Sequence, residues 1–245
     1  MNRFYCSSSD VSADSITIRD KDQVHHIKNV IRLKEGERAV VFDDRANEFD
    51  CVIGKITLTE VVFAVKHKEA AANALKSKPL VTIACAIPKH SKIDDIIDKL
   101  TQLGVDRIIP IMTERVIVRL DREKKSNRRE RWQKIALAAS KQSQRNKVPV
   151  VDEVTDVKDL IAAAQEFDLK LIPTLPGERK ALKEVLAENK PKNILALIGP
   201  EGDFTPKEIS LALKAGFIPV TFGDQVFRVE TAALFIASIL NYEYS

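Results

Sequence analysis

The chain has little cysteine, and the arrangement of that cysteine excludes two classes of protein. The three cysteines among 245 residues, Cys6, Cys51 and Cys85, are odd in number and widely spaced. They offer neither the paired framework of a disulfide-rich secreted domain nor the close pairs of a cysteine-based zinc site. We therefore expect free thiols, a reducing cytoplasm and no metal.

Long apolar runs and targeting signals are also missing. The longest apolar run, near residues 232–240, has about half the length that a membrane-spanning helix needs. The first residues contain no apolar segment of the kind found in secretory signal peptides. We expect a cytoplasmic protein that has no membrane partner.

Several catalytic motifs do not occur in the sequence. There is no G-x-G-x-x-G after the first predicted strand of the C-terminal domain and no G-x-x-x-x-G-K-[ST] segment, which disfavours an ordinary dinucleotide site and a phosphate loop. No G-x-S-x-G elbow supports an acyl-transfer triad. The histidines lack the spacing of metal ligands. Any enzymatic activity must therefore depend on other residues.

The net charge of +4 is small but unevenly distributed along the chain. Residues 114–147 carry 12 basic and 4 acidic side chains, whereas residues 148–245 carry a net charge of −5. Concentrated positive charge attracts polyanions through its field and through counterion release. The segment therefore favours RNA or DNA as a partner, and a solvated helix surface is the alternative that the charge run alone leaves open.

The first 72 residues have the composition of a small β domain. Alternating or β-branched segments predict strands at 15–19, 38–42, 49–56 and 59–65. A single helical segment is predicted at 22–33. We interpret residues 1–72 as a β-barrel or sandwich-like domain, followed by a linker at 73–79 where the β character is lost.

Residues 80–245 alternate between strand and helix patterns. Apolar runs predict buried strands at 80–87, 106–112, 169–172, 193–198 and 217–222. Helical periodicity, N-caps and closing glycines predict helices at 91–104, 127–144, 181–188, 205–216 and 230–242. This alternation predicts an α/β domain with a mostly parallel sheet.

Three unusual loops follow strands of this predicted sheet, at 173–178, 198–204 and 222–232. The carboxyl ends of parallel strands are where ligands bind in such domains. In the second loop two glycines flank Pro200-Glu201, which lets the backbone approach a ligand closely. A plain glycine-rich turn is the alternative for any one loop, but three such loops from one sheet favour a binding site.

Two motifs of the C-terminal domain resemble those of a known family. They are Ile198-Gly199-Pro200-Glu201-Gly202-Asp203-Phe204 and Gly223-x-x-Val226-Phe227-Arg228-x-Glu230-Thr231-Ala232. Together with Arg3-Phe4-Tyr5, Thr113-Glu114-Arg115 and residues 132–149, they make nearly the whole chain similar to the RsmE family of SPOUT-class RNA methyltransferases. Two positions depart from the family pattern, because Gln144 stands where glycine is usual and Phe227 where leucine is usual.

The resemblance implies a fold, a reaction and partners. The implied fold is a PUA-like RNA-binding domain followed by a SPOUT-type parallel sheet with a C-terminal trefoil knot, an exception to the rule that chains do not thread loops. The implied reaction is the S-adenosylmethionine-dependent methylation of N3 of a specific uridine in small-subunit (16S) ribosomal RNA. The resemblance also implies a homodimer.

The resemblance carries over candidate site residues as well. Those expected to hold S-adenosylmethionine are Thr174, Leu175, Ile198, Gly199, Pro200, Glu201, Gly202, Phe222, Gly223, Val226, Phe227, Arg228, Thr231 and Ala232. Those expected to contact RNA are Arg3, Lys28, Arg32, Lys92, Arg115, Arg145 and Asn146.

Arg228 and Glu230 are the candidate catalytic residues. Arg228 would stabilise negative charge on the uracil oxygens or bind the carboxylate of the methyl donor. Glu230 would orient Arg228, accept the N3 proton, or only stabilise the N-terminus of the last helix. These alternatives stay open from sequence.

Two other functions also stay open. A SPOUT enzyme could act on transfer RNA or on a ribose 2′-hydroxyl, although the match of the N-terminal domain disfavours this. A non-catalytic RNA-binding protein would use the basic segment and would not bind S-adenosylmethionine.

Overall fold

A computed structural model describes residues 1–69, 78–88, 93–115 and 122–244, without the side chains of residues 122–125. The chain divides into two compact units, Met1–Lys76 with Ser140–Val148 and Ser77–Ala139 with Pro149–Ser245. Most of the predicted linker lies outside the described residues, so the predicted boundaries stay predictions. Within the described ranges, no helix has both the length and the apolar character that a membrane crossing requires.

The N-terminal unit contains a curled five-stranded sheet. Its strands are β1 (Arg3–Cys6), β2 (Ser15–Ile18), β3 (Arg38–Asp43), β4 (Glu48–Ile56) and β5 (Val61–Glu69), in the order β1-β3-β4-β5-β2. The two edge strands approach each other, which closes the sheet around an apolar core. Phe4, Phe49 and Phe63 fill that core and are almost fully buried. The predicted β domain is confirmed.

The single helical segment of this unit changes its pitch along its length. Helix α1 (Lys21–His25) begins at Asp20, whose carboxylate accepts a hydrogen bond from the Gln23 N–H at 2.9 Å. A π-helix (His26–Ile31) continues it and ends at Arg32, which adopts a left-handed φ of 59°. The helix predicted at 22–33 is therefore present, and it ends where the backbone reverses its hand.

The second unit contains a parallel sheet whose strand order differs from chain order. Its strands are β6 (Leu80–Ala86), β7 (Arg107–Met112), β8 (Val150–Val151), β9 (Thr155–Asp156), β10 (Leu169–Pro173), β11 (Lys180–Ala181), β12 (Asn193–Ile198) and β13 (Ile218–Thr221). The order is β11-β13-β10-β12-β6-β7-β8, and β9 also pairs with β7. Every pair is parallel, which confirms the predicted sheet. The trefoil knot stays a prediction.

Helices cover both faces of this sheet. They are α2 (Ile93–Gln102), α3 (Arg122–Gln142), α4 (Val157–Ala163), α5 (Leu182–Glu188), α6 (Pro206–Lys214) and α7 (Val229–Glu243). On one face, α4 and α6 share a buried cluster with the central strands. Helix α7 packs against β6, β12 and α2. Burial on both faces explains why the central strands are continuously apolar.

The backbone at Gln144 is strained in a way that glycine would relieve. This residue has a left-handed φ of 59° just after α3, at the position where the family pattern has glycine. We expect Gln144→Gly to raise the free energy of unfolding by about 0.5 to 1 kcal/mol, because glycine adopts this conformation without a Cβ penalty but loses more entropy on folding. Urea unfolding of both proteins measures the difference.

Gln142→Gly is the matched control, because Gln142 lies inside the last turn of α3. Glycine there is expected to destabilise the protein, since it is a poor helix former. If Gln144→Gly also lowered the free energy of unfolding, the strain at Gln144 would have no energetic consequence.

Candidate functional site

The three loops singled out in the sequence gather around one pocket. They follow β10, β12 and β13, and the third leads into α7. Parallel strands end at the same edge of the sheet, which brings the loops together. The pocket is an open cleft, and residues of all three loops line it.

Most residues predicted to hold the cofactor line this pocket. Those that do so are Thr174, Leu175, Ile198, Gly199, Pro200, Glu201, Phe222, Gly223, Val226, Phe227 and Ala232. Gly202, Arg228 and Thr231 are exposed neighbours that do not belong to the lining. The role of each residue as a cofactor ligand stays a prediction.

The structure adds lining residues that the sequence reasoning missed. They are Pro173, Arg179, Asp203, Val220, Thr221, Gln225 and Val229. Asp203 belongs to the second loop, and the motif alone does not indicate that its side chain reaches the first loop. Arg179 is the basic side chain of the lining, and its Nη1 donates to the Thr174 carbonyl at 3.3 Å. Nothing local in the sequence distinguishes Arg179 from other surface arginines.

Asp203 joins the first two loops. Its Oδ2 accepts hydrogen bonds from Thr174 Oγ1 at 3.0 Å and from the Leu175 N–H at 2.9 Å. Its Oδ1 accepts from the Phe204 N–H at 2.8 Å, and its backbone has a left-handed φ of 60°. Hydrogen bonds to a carboxylate are among the stronger ones in proteins. The carboxylate therefore fixes the shape of the pocket on two sides.

The loop after β7 is held against the second pocket loop. The Arg115 guanidinium donates to the Gly202 carbonyl, and also to the Asp203 carbonyl at 3.4 Å. The buried Glu208 accepts from the Glu114 N–H at 2.9 Å through Oε1. Arg115, expected to contact RNA, thus lies beside the pocket loop, and its contact with RNA stays a prediction.

Three phenylalanines form an apolar wall beside the pocket. Phe222 and Phe227 are stacked with ring centroids 6.0 Å apart, and each lies 5.1 Å from the Phe235 ring. Rings in such tilted and stacked pairs attract each other beyond their area of burial. Phe227, which departs from the family pattern, is accommodated by this cluster.

The two candidate catalytic residues lie at the start of α7. Arg228 is the N-cap residue and is exposed, whereas Glu230 is half-buried in the first turn. Burial raises the pKa of the Cys85 thiol to about 12, and the charges of Glu230 and Glu201 contribute to that rise. Both carboxylates therefore lie near the end of β6. The catalytic roles of Arg228 and Glu230 stay predictions.

The remaining residues predicted to contact RNA have different environments. Lys28 and Arg32 are exposed on the N-terminal unit, whereas Arg145 and Asn146 are half-buried in the turn after α3. The Arg3 side chain is only 9% exposed. Lys92 lies outside the described residues. The sequence reasoning had no signal for the burial of Arg3.

Lys141, at the end of α3, carries its charge in a largely buried place. Its Nζ donates to Gln23 Oε1 at 2.7 Å, and burial lowers its pKa to about 8 although the charge of Asp20 opposes that shift. The folded protein therefore loses this proton at a lower pH than the unfolded chain does. Between about pH 8 and 10.5 the unfolded state binds more protons, so stability attributable to Lys141 rises with pH.

Lys141→Met is expected to remove this dependence. At neutral pH the variant should be more stable by about 1 to 3 kcal/mol, because it no longer buries a charge. The loss of one hydrogen bond offsets part of that gain. Urea unfolding of both proteins between pH 7 and 10.5 measures the difference, and other lysines cancel in the comparison. A constant difference across this range would contradict the assignment.

Among the residues that the structure describes, no group of three or more histidine, cysteine, aspartate or glutamate side chains could hold a metal ion. The three cysteines are buried and free of disulfide bonds.

Two family models match the chain. The RNA methyltransferase domain model matches residues 76–241, and the RNA methyltransferase PUA domain model matches residues 18–66. The first match alone covers more than half of the chain, and the second covers most of the curled sheet.

The chain is also similar to curated proteins over most of its length. It is 32% identical over 227 residues to the ribosomal RNA small subunit methyltransferase E of Bacillus subtilis, covering 91% of this chain and 88% of that protein. It is 34% identical over 217 residues to the protein of the same name from Mesomycoplasma hyopneumoniae, covering 87% and 88%.

A solved structure has the same fold. The ribosomal RNA small subunit methyltransferase E of Neisseria gonorrhoeae, solved bound to S-adenosyl methionine, superimposes with a TM-score of 0.87 at 26% identity. The superposition covers 100% of this chain and 98% of that one.

Proposed function

The chain belongs to the ribosomal RNA small subunit methyltransferase E (RsmE) family of RNA methyltransferases, and we propose that it transfers a methyl group from S-adenosylmethionine to small-subunit ribosomal RNA. The observation that carries this proposal is the convergence of the three glycine-bearing loops on one pocket. The full-length likeness to a relative solved with S-adenosyl methionine supports the assignment of that pocket.

The residues present fit a nucleoside. A Cβ atom on Gly199 would lie 3.1 Å from two ring carbons of the buried Phe204, a tight contact that glycine avoids where this loop turns over the ring. The lining combines apolar side chains with the backbone groups of Leu175 and Val226, a composition suited to a flat base with polar edges. When bound, S-adenosylmethionine supplies the methyl group as a sulfonium that reacts by in-line displacement.

The acceptor is N3 of a uridine in 16S ribosomal RNA. N3 carries a weakly acidic proton at neutral pH, so the chain must stabilise the uracil anion as the proton leaves. Arg228, at the start of α7 beside the pocket, donates to the uracil oxygens and stabilises this charge. Glu230 lies two residues further along the chain and orients Arg228 or accepts the proton.

The RNA is held by the basic segment and the N-terminal unit. The net charge of +8 in residues 114–147 supplies long-range attraction to phosphates. The exposed Lys28 and Arg32 and the turn at Arg145 and Asn146 supply nearer contacts. Membership of the family implies a homodimer, and the free cysteines and a ribosomal RNA substrate support a place in the cytoplasm.

Two assays test the proposal. The purified protein is incubated with labelled S-adenosylmethionine and small-subunit RNA, either naked or as the assembled subunit, and the methylated nucleotide is mapped by mass spectrometry. The proposal expects one N3-methyluridine. A methyl group on transfer RNA or on a ribose 2′-hydroxyl would overturn the choice of acceptor. The absence of heat when S-adenosylmethionine is titrated into the protein would overturn the enzyme assignment.

A further inference from the structure

The Arg3 guanidinium lies inside the N-terminal unit and joins its sheet to the turn after α3. Its Nη2 donates to Glu48 Oε2 at 2.7 Å and to Asn146 Oδ1 at 2.5 Å. Asn146 is 143 positions away in the sequence and belongs to the same compact unit. A side chain that is 9% exposed cannot present its charge to a phosphate as a surface lysine does.

The sheet holds Arg3 in place independently of the turn. Glu48 lies at the start of β4, and its carboxylate is only 23% exposed. The Arg3 Cζ lies 5.4 Å from the centroid of the Phe42 ring on β3. A hydrogen bond between charged groups is roughly twice as strong as a neutral one, and a cation–π contact is stronger where it is desolvated. The guanidinium is therefore a rigid donor against which the turn is placed.

This contact determines which way the Asn146 amide faces. A guanidinium can only donate hydrogen bonds, so the amide oxygen must face Arg3. The Nδ2 group, which can only donate, lies on the other side of the same planar amide. The backbone of the turn is held as well, because the Arg145 N–H donates to the Ser140 carbonyl at 3.0 Å.

We propose that Arg3 is a positioning residue that fixes the Asn146 amide so that Nδ2 donates a hydrogen bond to an oxygen acceptor of the bound RNA. The proposal rests on the proposed function, and it moves Arg3 from the set of direct RNA contacts to a residue that acts through another. The acceptor is a base carbonyl or a phosphate oxygen, since both accept a hydrogen bond from an amide.

A double-mutant cycle tests the coupling. Arg3→Met and Asn146→Ala are each expected to weaken binding of the substrate RNA about tenfold, the cost of roughly one well-formed hydrogen bond. The double variant should bind no more weakly than either single variant, because the two residues act as one unit. If the binding free energies lost in the two single variants added up in the double variant, the proposal would be overturned.

The salt dependence of binding separates positioning from direct contact. If Arg3 touched a phosphate, Arg3→Met would reduce the slope of log affinity against log salt by about 1. The proposal expects an unchanged slope and an increased KM for RNA at unchanged kcat, a split that a general loss of folded protein would not produce. A reduced slope would overturn it.

Arg19→Met is the matched control. Arg19 also pairs with a glutamate of the N-terminal unit, its Nε lying 3.1 Å from Glu60 Oε2, but it has no bond to the turn. This variant should leave KM unchanged, and an equal increase in KM would assign the effect to loss of any ion pair. If Arg3→Met does not fold, Arg3→Lys replaces it in the cycle, because lysine keeps the charge but lacks the planar fork.

Comparison of target and scrambled RNAs distinguishes the two acceptors. A base carbonyl predicts that Asn146→Ala weakens binding of the target sequence only, whereas a phosphate oxygen predicts equal weakening for both. A wild-type protein that binds RNA but does not methylate it would refute the proposed function and leave the coupling measurable. A methylating wild-type protein whose variants bind RNA normally would refute the positioning role alone.

Discussion

Replacing Arg228 with alanine is expected to slow methyl transfer about 100- to 1000-fold in a single turnover, the usual cost of losing one donor to charge that develops in the transition state. Arg228 lies between the pocket residues Phe227 and Val229, while its own side chain is exposed and outside the lining. Affinity for S-adenosylmethionine should therefore be unchanged. Rapid-quench assays measure the rate, and calorimetry measures cofactor binding.

Arg228→Lys is the control for charge alone. It should recover part of the rate, because the ammonium keeps the positive charge but lacks the planar set of donors. An unchanged single-turnover rate in Arg228→Ala would discard the catalytic assignment. Loss of cofactor binding in that variant would instead assign Arg228 to the carboxylate of the methyl donor.

Asp203→Ala is expected to weaken S-adenosylmethionine binding about 100-fold. The change removes the two hydrogen bonds that join Asp203 to Thr174 and Leu175, and it places a Cβ-bearing residue without a polar group at a left-handed φ of 60°. Hydrogen bonds to a charged group contribute about 1.5 to 3 kcal/mol each, so losing the preorganised pocket accounts for this factor. Isothermal calorimetry measures the affinity.

Two further variants separate the contributions at Asp203. Thr174→Val removes only the hydroxyl bond and should have a smaller effect than Asp203→Ala. Asp203→Asn tolerates the left-handed backbone and keeps one oxygen acceptor, so it should lie between the two. RNA binding by the N-terminal unit should not change in any of them. Equal affinity of Asp203→Ala and the wild-type protein would show that the loops keep their positions without this carboxylate.

Much of the fold could be predicted because its signals are local. The continuous apolar run at 80–87 and the N-cap of the helix predicted at 205–216 both have counterparts in the structure. Strand β1 and helix α4 were missed, since four and seven residues are too few to show a clear period. The left-handed φ of Gln144, two residues after the end of α3, could be suspected only from a comparison with a family glycine.

The part of the candidate site that belongs to sequence motifs could be predicted. The glycine-bearing loops were identified from composition, and their convergence follows from the rule that ligands bind at the carboxyl edge of a parallel sheet. Arg179 was missed, because its place in the lining depends on the path of a loop and not on its neighbours in sequence. Arg3 was expected to contact RNA, but its charge lies inside the N-terminal unit.

Periodicity, caps and turn residues were enough to predict the order of helices and strands and the three ligand-binding loops. Each of these signals depends on neighbours within a few positions. Contacts between distant segments required the folded chain: Asp203 reaches Leu175 across 28 positions and Arg3 reaches Asn146 across 143. Such pairs are selected by the packing of the entire core, which closes long loops and decides which polar groups are brought inside together.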